Sequence, residues 1–371
     1  MKKRTIVGMS LLLMSFHSMA KSGYYRDPDL HDNQVVFTAE GDLWLHDITN
    51  AATRRLTTNL AQEQQSAFSS DGTQIAFTAN YEGATEVYVI PTEGGLARRV
   101  TFENSYVYLQ QWTRDGKLLY STNTRVGPTN NWSLKQVDPV TLNTEEVPVA
   151  DAIEGAIDEA SDTLYFTQFG LQVSRDNARY YRGGAQGELW RYKLGSQTEA
   201  LLLTDAHDAS AREPMVAGDK LYFVSNQNGN DNLWVMSASG KNVKALTDFQ
   251  DFPIKRASLD NGRIIFQHGA DLKIFDIAKR RTRTLDIALS GDFPQLRDNW
   301  LTKPTKYLTS VDFNADNKQV ILTARGHLAI ASTDGKRLVE IDTPAASRSR
   351  KAILSHDGKW VYAINDASGE M

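Results

Sequence analysis

Few residues in this chain are spaced for chemistry. The densest group of potential metal ligands is Asp205, His207 and Asp208. Protein metal sites assemble ligands at recurrent spacings, and this trio, lying between two repeated units, reads as a solvated loop. The histidines, His17, His31, His46, His207, His268, His327 and His356, are scattered, with no pair at the i, i+4 spacing of a metal-binding helix. His31 and His46 recur within a repeat frame and read as structural. A nucleophilic serine on a strained elbow announces itself as Gly-x-Ser-x-Gly, which does not occur. Gly94-Gly95 and Gly183-Gly184 lack the lysine and following helix of a phosphate loop and read as turns. No catalytic residue, metal or cofactor is therefore expected. One segment stands apart: Arg175, Arg179, Tyr181 and Arg182, with Tyr180, crowd guanidinium and phenol groups into a single loop. Such groups hold a peptide carboxylate by charge-assisted hydrogen bonds, so these four are the candidate binding residues. Packing against a neighbouring domain is the alternative use of the same loop.

The elements that position this loop follow from a repeat, sought first because missing it mis-assigns a fold. Hydrophobic strands begin at Val35, Ile75, Leu118, Leu164, Leu221, Ile264, Val320 and Val361. Each has an apolar approach strand and an Asp/Gly/Asn turn before it, as in Ser70-Asp71-Gly72 and His356-Asp357-Gly358; those residue types tolerate tight hairpins. After it comes a strand of the type Asp42-Leu43-Trp44, Glu188-Leu189-Trp190 or Asn232-Leu233-Trp234, with Asn131-Trp132-Ser133 as the third instance. An outer strand then closes near Leu56-Thr57, Val100-Thr101, Leu203-Thr204 or Leu246-Thr247. Four short strands per 40 to 46 residues is the unit of a β-propeller blade. Trp44, Trp190 and Trp234 fall at one position of that unit and read as core.

Two intervals exceed this period. Between Leu164 and Leu221 the excess is an insertion at Gln172–Gly187, inside one blade; between Ile264 and Val320 it lies outside the repeats and marks a domain boundary. The expectation is an all-β protein: a six-bladed β-propeller over 21–287, a linker over 288–309, and at 310–371 the incomplete start of a second β-propeller. Each of the six repeats brings its own first strand, so the ring closes without borrowing one from the other end. A chain stopping at Met371, within the eighth repeat, reads as a truncated product, since an unfinished blade exposes a sheet edge.

The first twenty residues differ. Lys2-Lys3-Arg4, an apolar stretch from Ile6 to Met14 and Ser18-Met19-Ala20 have the form of a secretory signal peptide cut after Ala20; the stretch is too short to span a bilayer. A periplasmic or secreted location is expected. The remaining chain holds 38 basic and 45 acidic residues, about −7 in charge, so no nucleic-acid partner and no membrane span are expected. The absence of cysteine excludes disulfides and thiol chemistry.

The stretches DPDLHDNQVVFTAEGDLWLHDI (27–48) and YRGGAQGELWRY (181–192), with the Ser-Asp-Gly and Leu-Thr punctuation, resemble the amino-terminal propeller of the tricorn protease family, a relative of the TolB-type propellers. The resemblance covers nearly all of the chain after Ala20. It implies the substrate-gating and assembly portion of a serine peptidase that degrades oligopeptides, with the catalytic domains absent from these 371 residues. It also implies peptide substrates or products as partners, a homo-oligomer in full length, and a cytoplasmic location as the alternative, as in archaeal relatives. One departure is that Glu103–Gln111, read as a loop between the second and third repeats, carries Tyr106 and Tyr108 where the archaeal pattern has an arginine pair. From other classes, a TolB-like protein-binding propeller without enzymatic activity and a propeller fused to an amidohydrolase-type metal enzyme use the same repeats.

Overall fold

The computed structural model describes residues 23–124, 132–169, 181–291, 298, 300–344 and 347–368. The chain is all-β, and the helical content of the described residues is a single 3-10 turn, Pro304–Tyr307. Two compact units divide near residue 293. In the first, the described residues form six four-stranded antiparallel sheets, each a meander of consecutive strands. The leading strands are Arg26–His31, Glu63–Phe68, Val107–Trp112, Ala152–Asp158, Ala211–Ala217 and Ile254–Asp260. Each neighbours the leading strand of the sheets before and after it, and the sixth neighbours the first, so these strands surround an axis.

Local chemistry explains the repeat. In the Ser-Asp-Gly turn, the Asp71 carboxylate accepts from Ser69 Oγ at 2.6 Å and from Thr73 N at 3.0 Å. Gly72 there has φ +70°, and a Cβ on it would stand 2.4 Å from the His31 ring, so glycine is required twice over. The Leu-Thr signature is a latch. In all six sheets the residue after the outer strand donates its N–H to the third strand, Leu56 to Leu43 O at 2.8 Å being the first and Leu285 to Leu272 O at 2.9 Å the last. Where threonine follows, its Oγ1 accepts from the same third strand: Thr57 from Leu43 N, Thr101 from Val87 N, Thr204 from Leu189 N and Thr247 from Leu233 N, at 2.8–3.0 Å. The third and sixth sheets carry Pro148 and Asp286 instead.

Packing is organised at the boundaries between sheets. Six hydrophobic clusters occupy the six boundaries, including the one between the last sheet and the first. The repeated tryptophans serve them. Trp44 is buried against Ile265 and Leu272 of the sixth sheet, Trp190 packs with a cluster of the third and fourth sheets, and Trp234 with one of the fourth and fifth. Burying side chains of this size contributes roughly 2–3 kcal/mol each.

Arg26–His31 pairs with Gln34–Ala39 inside its own sheet, as the reading of the repeats required. The closing boundary is still crossed by the backbone once: Tyr25 N donates to Ala270 O at 3.1 Å, while Tyr25 Oη donates to Ile287 O at 3.0 Å. Two local expectations need correction. Val107–Trp112 is the leading strand of the third sheet, so only 103–106 connects the repeats, with Tyr106 exposed and Tyr108 against the Trp132 ring. The third strand of that sheet begins at Ser133, after Trp132.

In the second unit, Leu308–Phe313, Gln319–Ala324, His327–Ser332 and Leu338–Ile341 form a four-stranded sheet, and Ser349–Leu354 pairs with Val361–Asn365. Ile321, Leu328, Ala352 and Leu354 form its core. The turns repeat those of the first unit: Ser355 Oγ donates to Asp357 at 2.7 Å, as Ser69 does to Asp71.

Candidate functional site

Each leading strand of the first unit has a break in register along its length. At Asp27, Gln65, Glu213 and Arg256 the break brings a positive φ of 48° to 54°. A non-glycine residue held there costs about 1 kcal/mol or more. A bulge of this kind re-aims a side chain, and here it turns polar groups sideways, toward the next sheet.

The result is a relay around the axis. Asp29 Oδ2 accepts from Phe68 N of the second sheet at 2.6 Å. Gln65 Oε1 accepts from Leu109 N of the third at 3.0 Å, and Gln110 Oε1 from Gly155 N of the fourth at 3.4 Å. Glu154 Oε2 accepts from Glu213 N of the fifth at 2.7 Å, and Glu213 Oε2 from Ala257 N of the sixth at 2.9 Å. At five boundaries, then, a side-chain oxygen of the earlier sheet holds the backbone of the later one. At the sixth the same contact recurs, Asp260 Oδ2 accepting from Asp32 N of the first sheet at 3.0 Å, and the last sheet adds donors of its own: Arg256 Nε lies 3.1 Å from Asp27 Oδ1, and Ser258 Oγ donates to Asp29 Oδ1.

These groups border an axial cavity of about 520 Å³, lined by all six leading strands and reaching the turns that follow them. Its electrostatics follow from its depth. Burial works against the Arg256 charge, but Asp27, Glu213 and Glu154 outweigh it and hold the guanidinium above its ordinary range. Burial, reinforced by Glu154, pushes the Glu213 carboxyl up against the pull of Arg212. Asp29 is pushed up to about 6 by burial, against the hydrogen bonds it accepts from Ser258 and Phe68. The arrangement presents carboxylates and a guanidinium to one internal space, where they can hold a polar or charged group. Among the described residues no three His, Cys, Asp or Glu side chains are grouped to hold a metal ion.

The residues singled out in the sequence lie elsewhere. Arg175 and Arg179 fall outside the described residues. Tyr181 and Arg182 belong to the connection between the second and third strands of the fourth sheet. In a meander that end is opposite the turns where the cavity emerges, and neither residue lines it. The two are brought together: Arg182 Nη1 donates to Tyr181 O at 2.9 Å, and Arg182 Nη2 reaches Asn226 O of the fifth sheet at 3.4 Å. Tyr181 is 43% exposed. His207 is fixed in place, its Nε2 2.7 Å from Ser225 Oγ and its ring edge-on to Phe223 and Trp234. Burial, with Arg182 nearby, holds it down to about 4.

The axial residues escaped sequence reading, although a signal exists. Asp27, Gln65, Gln110, Glu154, Glu213 and Arg256 all stand eight to ten residues ahead of the hydrophobic strand of their repeat. A polar or charged residue recurring inside an approach strand that should be apolar marks a side chain turned to an internal space.

Comparison with known proteins adds three findings. A family model described as the tricorn protease N-terminal beta propeller domain matches residues 22–281. Tricorn protease homolog 1 of Streptomyces coelicolor is 26% identical over 95% of this chain and 33% of its own length; the tricorn protease homolog of Saccharolobus solfataricus is 28% identical over 97% and 33%. Among solved structures, the crystal structure of the tricorn protease superposes with a TM-score of 0.71 at 21% identity, covering 89% of this chain and 32% of that one. The chain thus spans about a third of the length of the relatives it matches. Among the described residues no helix is long and apolar enough to cross a membrane.

Proposed function

We propose, for a chain that belongs to the tricorn protease N-terminal β-propeller family, that it is the gating and assembly portion of an exported serine peptidase acting on oligopeptides. On this reading the six sheets are the six blades of one propeller, 288–309 is a linker, and 310–371 starts a second propeller. Peptides or products travel along the axis, and a homo-oligomer places the axis against catalytic domains carried outside these residues. Residues 1–20 direct export and are removed after Ala20. Arg175, Arg179, Tyr181 and Arg182 form a secondary contact for peptide carboxylates at the end opposite the turns.

The observation carrying this reading is the axial cavity itself. Polar groups from every leading strand line it, and family membership supplies the peptidase context. The test is obstruction. Gln111 lines the cavity and is only partly buried, so Gln111→Trp narrows the passage without filling the core. In a polypeptide carrying this chain with its peptidase domains, kcat/KM for oligopeptides should fall about tenfold or more. A minimal chromogenic amide that needs no conduit should be turned over as before. Equal loss for both, or loss for neither, would reject the conduit.

A further inference from the structure

The axial cavity carries an imbalance of charge that structural duty does not exhaust. Six carboxylates line it, among them Asp27, Asp29, Glu154 and Glu213, against the two guanidiniums of Arg114 and Arg256. Asp27 and Glu154 keep only 8% and 7% of their surface, yet each borders the cavity. Glu154 spends Oε2 on the Glu213 amide and Asp27 spends Oδ1 on Arg256. Among the described residues neither Glu154 Oε1 nor Asp27 Oδ2 takes part in a hydrogen bond, and neither is among the buried atoms sealed off without a partner. Two nearly buried carboxylates, from the first and fourth of six sheets around the axis, thus each keep one oxygen open to the same space.

The chemistry of a matching ligand follows. It is cationic, because six lining carboxylates outnumber the lining guanidiniums of Arg114 and Arg256 even with Arg212 beside Glu213, and burying unpaired negative charge is costly. It is not a bare metal ion, since no three ligand side chains among the described residues converge on one point. An ammonium group fits: its three donors can address acceptors set apart from one another. A cavity of about 520 Å³ is large enough to admit the chain that bears it.

We infer that the axial cavity is a receptor for primary ammonium groups on extended chains, read by Glu154 and Asp27. The ammonium is that of a peptide amino terminus or of a lysine side chain. The choice of peptide probes rests on the conduit reading above, but binding needs no turnover, so the two can fail separately.

The experiment is calorimetric titration of the 371-residue chain at pH 7.5 and low salt with three carboxamide-ended peptides. One is tetra-alanine with a free amino terminus, the second its N-acetylated form, the third an N-acetylated peptide of equal length with one lysine. The free terminus should bind at least tenfold more tightly than the acetylated form, and more weakly as salt screens the contact. Binding of the lysine peptide assigns a general ammonium site; its failure beside success of the free terminus assigns an amino-terminal one. Glu154→Gln keeps an acceptor for the Glu213 amide while removing the charge, and should weaken the free-terminus complex at least fivefold with an unchanged circular dichroism spectrum. Equal binding of the free and acetylated peptides, no binding by either ammonium peptide, or full affinity in a folded Glu154→Gln variant would overturn the inference. The peptide comparison uses the unaltered chain, so it decides the matter even if the variant misfolds.

Discussion

Arg256 Nε stands 3.1 Å from Asp27 Oδ1, and this contact joins the last sheet of the first unit to the first one, where no peptide bond links them. Asp27 is nearly buried, while 36% of the Arg256 side chain is open toward the axial space. Arg256→Met should therefore strand a buried carboxylate and cost about 2 kcal/mol, less than a fully buried pair would. Adding Asp27→Asn should recover a good part of that loss. Urea unfolding of the two single variants and the double variant measures the coupling; strictly additive losses would show that the contact does not hold the ring.

Asp29 makes a pH prediction with an unusual sign. Its folded carboxyl is pushed up to about 6 from an ordinary 3.8, so the folded state binds the proton more tightly than the unfolded one. Its contribution to stability is fully present below about pH 3.8 and is lost as pH rises through 6. Asp29→Asn keeps an acceptor for Phe68 N and turns its amide to Ser258 Oγ. It should raise stability on the order of 2 kcal/mol at pH 7.5 and change little at pH 4. Thermal melts of both proteins across that range supply the comparison, and destabilisation at pH 7.5 would refute it.

The Leu-Thr latch is open to isosteric replacement. Thr101 Oγ1 accepts from Val87 N at 2.8 Å and donates to the buried Glu86 at 2.6 Å. Thr101→Val should cost about 2–3 kcal/mol, because it leaves a buried amide and a buried carboxylate each short of a partner. Thr204→Val removes an acceptor from Leu189 N alone and should cost about 1 kcal/mol. Thr→Ser at either site should retain most of the stability. Denaturant midpoints at constant slope rank the four variants.

His207 is held down to about 4 by burial, against an ordinary value near 6.5. Here the unfolded state binds the proton more readily, so the stabilisation is complete above 6.5 and declines as pH falls toward 4. The imidazole resonances of His207 should not titrate between pH 5 and 8. A midpoint near 6.5 would mean that its pocket against Phe223 and Trp234 stands open.

How far the sequence foretold this differs between framework and site. Sheet-forming stretches were visible because hydrophobic strands, Asp-Gly turns and Leu-Thr endings obey local rules. The positive φ of Gly72 belongs to a tight turn, and Thr57 bonds Leu43 within its own repeat, so their types betray their roles. The axial groups obey no local rule. Asp27 and Arg256 are partners across 229 positions, and Glu213 matters because a bulge turns it toward Ala257. A register break is decided by packing against the next sheet, which no single repeat encodes. The stretch 103–111 resembles a loop in sequence for a related reason: Tyr108, Gln110 and Gln111 leave a leading strand with little of the apolar signature that marks its counterparts. The arginine-rich insertion drew attention through composition, but composition does not say at which end of a sheet a loop emerges.

In the first unit each sheet is made from one uninterrupted run of sequence, and the closing boundary is held by side chains and a single backbone contact. The position of the chain ends is then an accident of where counting begins. Joining Tyr24 to Ile287 through a short spacer and opening the chain between Thr101 and Val107 would give a circularly permuted protein with every sheet intact. The same property lets whole units be duplicated or traded without disturbing their internal order, a route by which a ring of this kind can grow from copies of one ancestral module.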